Sequence, residues 1–128
     1  PTRSAHQLRA NSAWTWRGAW RNEKEGRGSA EPGSEAELRF NGTGVVLMGP
    51  LSSQGGRADV WIDGRKQELA AEAFVGPNLT DNDLWRIFDL PPDEHVLRLA
   101  TRADADPASQ GRTITLRRAV IYAPAAAR

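Results

Sequence analysis

The stretch Glu35–Gly64, EAELRFNGTGVVLMGPLSSQGGRADVWIDG, leaves this chain few ways to fold. Ala36, Leu38 and Phe40 alternate with Glu35, Glu37 and Arg39, and a period of two belongs to a strand buried on one face. NGTG at Asn41–Gly44 follows, with residues that tolerate positive φ and so permit a tight reversal. Val45–Met48 form a second, more fully apolar run. After the loop PLSSQGG, Ala58, Val60 and Ile62 alternate with Asp59, Trp61 and Asp63, and Asp63-Gly64 stops the strand. Three such strands joined by glycine-marked turns make an antiparallel meander.

The same grammar continues on both sides. Trp14 and Trp16 share one face of an early strand, and Gly18 allows a bend before Trp20. RNEKEGRGSAEPGS, from Arg21 to Ser34, reads as a charged loop. Arg65–Glu72 reads as a weaker strand, with helix as its rival because of the alanines. A second long loop spans Ala73–Asp83. LWRIFDL at Leu84–Leu90 is a strand closed by Pro91-Pro92, and His95–Thr101 is another, with Leu97 and Leu99 inward. Arg102–Gly111 is a third loop, and Thr113–Ala123 a last strand with a bulge near Arg117-Arg118. With 128 residues there is core for one domain but not for two. The expectation is an all-β antiparallel sandwich, a jelly roll of about eight strands over residues 14–123. Residues 1–13 are expected to be a tail or linker, and 124–128 a linker; a start at Pro1 points to a fragment or processed product.

The motifs LRFNGTGVVLMGP, GGRADVWIDG and LPPDEHVLRLAT resemble those of non-catalytic β-sandwich modules with the galactose-binding-like jelly-roll fold. The resemblance runs from about Trp14 to Tyr122 and rests on turn and core positions. It implies an accessory module of a larger extracytoplasmic protein, of the kind appended to secreted glycoside hydrolases and esterases. It further implies a glycan partner, a neighbouring domain of the parent protein, and an extracellular or periplasmic location. A histidine at the turn of His95 is common in this group, where packing or a backbone hydrogen bond accounts for it. The resemblance also brings a structural calcium held by an early loop and an acid on the final strand. Here Arg117 and Arg118 stand where that acid would be. TDND and DAD hold oxygen ligands of the type calcium uses, but without EF-hand spacing, so no metal ligand and no cofactor is assigned.

Composition narrows the alternatives. Lys and Arg number 17 against 16 Asp and Glu, which argues against a nucleic-acid binder. Cysteine is absent, and with it disulfides, thiolate metal sites and cysteine nucleophiles. No apolar run approaches the roughly 18 residues of a membrane span. There is no Gly-x-Ser-x-Gly elbow, HExxH or glycine-rich phosphate loop, and Asp59 with Asp63 is a pairing that any alternating strand produces. An enzyme is not expected.

If consecutive strands are antiparallel, connections alternate between the two ends of the sandwich. NGTG, DG and PPDE then fall at one end, and all the long loops at the other. That loop end is the expected site, with Trp20 and Trp85 offering aromatic faces and Arg57, Asn78, Asp81 and Asn82 planar polar groups. Packing alone is the competing role for Trp20. A second candidate is the sheet face carrying Asp59 and Trp61, which suits either a sugar or a covering domain. The alternative function is a structural or protein-docking domain without glycan affinity.

Overall fold

The computed structural model describes residues 3–9, 14–24, 26–76 and 78–124, and every regular element among them is a strand. In chain order these are β1 (Arg3–Arg9), β2 (Trp14–Arg17), β3 (Arg21–Glu23), β4 (Gly26–Ser29), β5 (Glu35–Gly42) and β6 (Gly44–Leu51). There follow β7 (Arg57–Ile62), β8 (Arg65–Lys66), β9 (Ala71–Glu72), β10 (Leu79–Ile87), β11 (Asp93–Thr101), β12 (Ile114–Leu116) and β13 (Arg118–Pro124). One sheet has the order β1-β13-β6-β10; the facing sheet runs β2-β5-β11-β7-β8, with β9 also on β7. A small third sheet, β12-β4-β3, closes one corner. The protein is an all-β antiparallel sandwich, as its alternation implies.

Alternation in the sequence becomes an inner face in space. Along β5, Ala36, Leu38 and Phe40 are buried; along β7, Ala58, Val60 and Ile62; along β11, Leu97 and Leu99. The ladders place Leu97 between Leu38 and Ile62, and Leu99 between Ala36 and Val60. Val45, Leu47, Ala119 and Ile121 of the opposite sheet complete the core with Leu84 and Trp85. Each fully buried Leu, Ile or Val contributes about 1.5–3 kcal/mol by leaving water, far more than any exposed ion pair.

Several expected boundaries are corrected. Residues 1–13 are not all tail: Arg3–Arg9 form an edge strand on β13, in register from Arg3↔Pro124 to Arg9↔Arg118. Main-chain hydrogen bonds hold such a strand, so it needs little apolar period. Residues 10–13 and 125–128 lie outside the described residues; Pro124, expected in a linker, belongs to β13. The charged segment after Trp20 contains the β3–β4 hairpin, not a plain loop. Its buried members are Gly28 and Ser29, too small to mark a strand by hydrophobicity. At Gly26, with φ +132°, a Cβ would overlap the Leu116 carbonyl, so only glycine allows this approach to β12. The expected bulge at Arg117 is a transfer between sheets, β12 in the small one and β13 in the large.

The tight turns do collect at one end, where His95 ties them together. Its Nδ1 lies 2.6 Å from Asp63 Oδ2 and its Nε2 lies 2.7 Å from the Pro91 carbonyl. A carboxylate and a carbonyl only accept, so the geometry suits an imidazole that donates from both ring nitrogens and favours its doubly protonated form. Asp63, at φ 51°, also accepts from Val96 N at 2.8 Å. It is therefore a turn residue and not part of the outer face of β7. Burial of the His95 ring pulls its pKa down, but hydrogen bonds to Asp63 and Pro91, with the nearby carboxylate charges, outweigh it and leave the pKa raised above 6.5. The hydrogen bond from His95, followed by that from Val96, holds Asp63 below the usual carboxylate value.

Two outcomes follow from this packing. Phe40 is 4% exposed, so Phe40→Ala should lose about 3–5 kcal/mol in denaturant unfolding; a loss below about 1 kcal/mol would place the core elsewhere. The His95–Asp63 pair contributes fully between the unfolded pKa values, about 3.9 for Asp and 6.5 for His. Its contribution declines as pH rises through the raised His95 value, or falls through the lowered Asp63 value. The melting temperature should therefore drop more between pH 5 and pH 9 in the parent protein than in His95→Gln. Parallel pH profiles would contradict the double-donor assignment.

Candidate functional site

The long loops meet at one end, and there they bond to one another. Ser52 N donates to the Ala73 carbonyl at 2.9 Å and Val75 N to the Ser52 carbonyl at 3.0 Å. Gly56 N donates to the Thr113 carbonyl at 2.8 Å, and Gln110 N to the Ser53 carbonyl at 2.7 Å. A Cβ at Gly55 would overlap the Ala73 carbonyl, so these segments touch backbone to backbone. The start of the loop after β11 is tied in by Thr101 N to the Ser34 carbonyl and Arg102 N to the Arg57 carbonyl, each at 2.9 Å. The loop end is laced into a cap.

Sequence-expected site residues are spread around this cap. Arg57 bonds Glu72 at 2.8 Å and Asp104 at 3.4 Å, while Arg102 forks onto Asp104 at 2.7 and 2.8 Å. The Arg102 hydrogen bond is the first cause holding the Asp104 carboxyl below its usual range. Exposed pairs of this kind are screened by water and weak, so the network orients the loops more than it stabilises them. Asn78 is exposed at the foot of β10, and Asn82 pairs with Gly49 in the ladder. Trp20 packs beside the start of β5, edge-on to Trp16 at 4.8 Å, its indole N–H shared between the Arg17 and Glu35 carbonyls at 2.9 Å. The hollow beside it, about 260 Å³, is below the ~300–1,000 Å³ usual for ligand sites.

On the sheet face, Trp61 and Asp59 point outward as alternation requires, but both are engaged. The Arg98 guanidinium stacks 3.8 Å from the Trp61 ring centroid, with Lys66 Nζ at 6.0 Å. Asp59 faces Arg102 at 3.4 Å and Lys66 at 3.6 Å.

A depression lies along the side of the sandwich, where the edges of the two sheets meet. It has a volume of about 590 Å³, with residues 67–70 on one wall and 83–87 on the other. Its origin is a mismatch in the edge of the second sheet. Lys66 pairs with Trp61 and Ala71 with Ala58, so five steps along this edge match three along β7. Two surplus residues therefore push Gln67–Ala70 out of the ladder. Trp85 pins that excursion, its indole N–H donating to the Leu69 carbonyl at 2.8 Å. Being only 7% exposed, Trp85 has no free face for stacking and forms part of the floor, a correction to its expected role. Leu69, 77% exposed, stands at the rim, and Asp83 pairs with Arg86 at 3.0 Å on the far wall. Consecutive burial of Leu84 and Trp85 follows from the register shift between Asp83 and Trp85. Gln67, Glu68, Leu69 and Arg86 carried no sequence signal as site residues: period two gives Leu69 the inward parity of Ala71 and Ala73, which the surplus residues cancel.

The donors around β10 do not fit calcium. Arg118 Nη2 donates to Asp81 Oδ2 at 2.7 Å, occupying that carboxylate with a cation. Asp81 Oδ1 is buried without a hydrogen-bond partner, but one oxygen beside a guanidinium falls far short of six to eight donors. No three His, Cys, Asp or Glu side chains converge among the described residues.

No family model and no curated protein matches the sequence. Solved structures do match the fold. The CBM36-1 domain of a multidomain xylanase from the hindgut metagenome of Trinervitermes trinervoides superposes with a TM-score of 0.67 at 14% identity, covering 97% of this chain and 100% of that one. A carbohydrate-binding module CBM36 in complex with calcium and xylotriose gives 0.60 at 11% identity, covering 92% and 99%. A family two carbohydrate esterase from Cellvibrio japonicus gives 0.65 at 17% identity over 95% of this chain, which spans 34% of that enzyme's length. The chain thus has the β-sandwich fold shared by carbohydrate-binding modules and by the corresponding part of carbohydrate esterases.

Proposed function

We propose that this chain is a non-catalytic, glycan-binding accessory module of a larger extracytoplasmic protein, and that it binds through the side cleft and not the loop cap. The observation that carries the reading is the cleft itself. An apolar strip of Leu69, Trp85 and Ile87 runs beside the planar polar groups of Gln67, Asp83 and Arg86 in a volume of about 590 Å³. A pyranose ring has the matching chemistry, with axial hydrogens making apolar patches and equatorial hydroxyls that take paired hydrogen bonds. Of the neighbours in fold, one is solved with xylotriose, and a family two esterase from Clostridium thermocellum with cellohexaose, which supports a glycan as the ligand class. The short span of this chain relative to the esterases supports a parent protein with further domains. The outward face of Trp61, Arg98 and Asp59 is internally paired, which suits contact with such a domain better than capture of a small ligand.

Titration calorimetry with xylohexaose, cellohexaose and mannopentaose should find weak, saturable binding to at least one, since a shallow wet site gains little per contact. Arg86→Ala and Leu69→Ser, both at exposed side chains, should weaken it about tenfold or more with the melting temperature nearly unchanged. Unchanged binding in both, with loss in Trp20→Ala or Trp61→Ala, would move the site to the loop end or the sheet face.

A further inference from the structure

The charges lining the cleft are two carboxylates, Glu68 and Asp83, against the single guanidinium of Arg86. Asp83 and Arg86 neutralise each other at 3.0 Å. Glu68 sits on the opposite wall, and its carboxylate has no ion-pair partner among the described residues. Several acidic side chains elsewhere on the two sheets are matched: Asp59 by Lys66 and Arg102, Glu35 by Arg98, Asp81 by Arg118. An uncompensated negative charge is thus left at the cleft. A ligand carboxylate laid along that wall would meet Glu68, and the one cation lining the cleft is already paired with Asp83.

We infer that Glu68 makes this cleft selective for uncharged polysaccharides and excludes uronate-bearing ones. The inference rests on the glycan-binding reading of the cleft and adds the class of glycan. Glu68 acts by repulsion, which discriminates between ligands without adding a contact to the favoured one. Neutral sugars carry no charge for it to repel, so their binding does not depend on it. The Arg86 guanidinium does not reverse the preference: its charge is already offset by Asp83, and Glu68 leaves the cleft lining with a net negative charge.

The test compares neutral hexasaccharides (xylan-, cellulose- and mannan-derived) with hexasaccharides of β-1,4-glucuronan, polymannuronate and polygalacturonate, by calorimetry at low salt. The best neutral probe should bind at least about fivefold more tightly than the best acidic one, the scale of one exposed charge–charge contact. Glu68→Gln should narrow that ratio by strengthening acidic binding while neutral affinity stays within about twofold, and Glu68→Lys should narrow it further. Raising salt to about 0.5 M should narrow it in the parent protein and leave Glu68→Gln unaffected. Acidic probes binding as tightly as neutral ones, or a ratio untouched by Glu68→Gln, would overturn the inference while leaving glycan binding intact. Binding of no probe from either set would instead overturn the glycan-binding reading, and the selectivity with it.

Discussion

The register of three strands carries the rest of this protein. Leu38 on β5, Leu97 on β11 and Ile62 on β7 stand side by side, as do Ala36, Leu99 and Val60 one row away. Period two allows no partial errors: a slip of one residue would turn every one of these side chains to solvent. The turns guard that register from the side. Asp63 and His95 bond across from the end of β7 to the start of β11, and Gly64 at φ +82° completes the turn. The shape of the molecule at both ends follows from where these rows start and stop.

With the strand faces set, the ends and sides differ in what they can offer a ligand. The loop end contains most of the irregular chain, yet its segments satisfy one another through main-chain hydrogen bonds, and its charged side chains pair among themselves. Buried backbone groups must find partners, so long loops without strands consume each other's hydrogen-bonding capacity. At the side, edge strands β10 and β8–β9 are not held to this rule. The two surplus residues there open a cleft lined by exposed Glu68, Leu69 and Arg86. In the proposed reading, binding capacity sits where the ladder fails to close, more than where the loops are longest.

Much of this was legible in the residues. Alternation in β5, β7 and β11 identified the inner faces of one sheet, and NGTG, DG and PPDE marked the turn end. Placement of the long loops together also followed from antiparallel order. Other features had no local signature. β1 is held by backbone pairing, and β4 packs through Gly28 and Ser29, so hydrophobic pattern could reveal neither. Trp85 shows the limit for the site. A tryptophan beside a polar loop reads as a stacking face, but the bulge before it turns it into the core, with its N–H on Leu69. Such a register shift depends on tertiary pairing with β6. The excursion at 67–70 is likewise a mismatch between two strands, a property of neither sequence alone.

The central claim is that the cleft beside Trp85 is the glycan site. The most direct measurement is a proton–nitrogen correlation spectrum recorded during titration with the oligosaccharide that binds. The five tryptophans provide separate indole reporters, and that of Trp85 is held against the Leu69 carbonyl at the cleft wall. The account predicts that the Trp85 indole signal and the amides of residues 67–70 and 83–87 move together, while the indoles of Trp20 and Trp61 stay fixed. Movement of the Trp20 or Trp61 indole with Trp85 unmoved would contradict it.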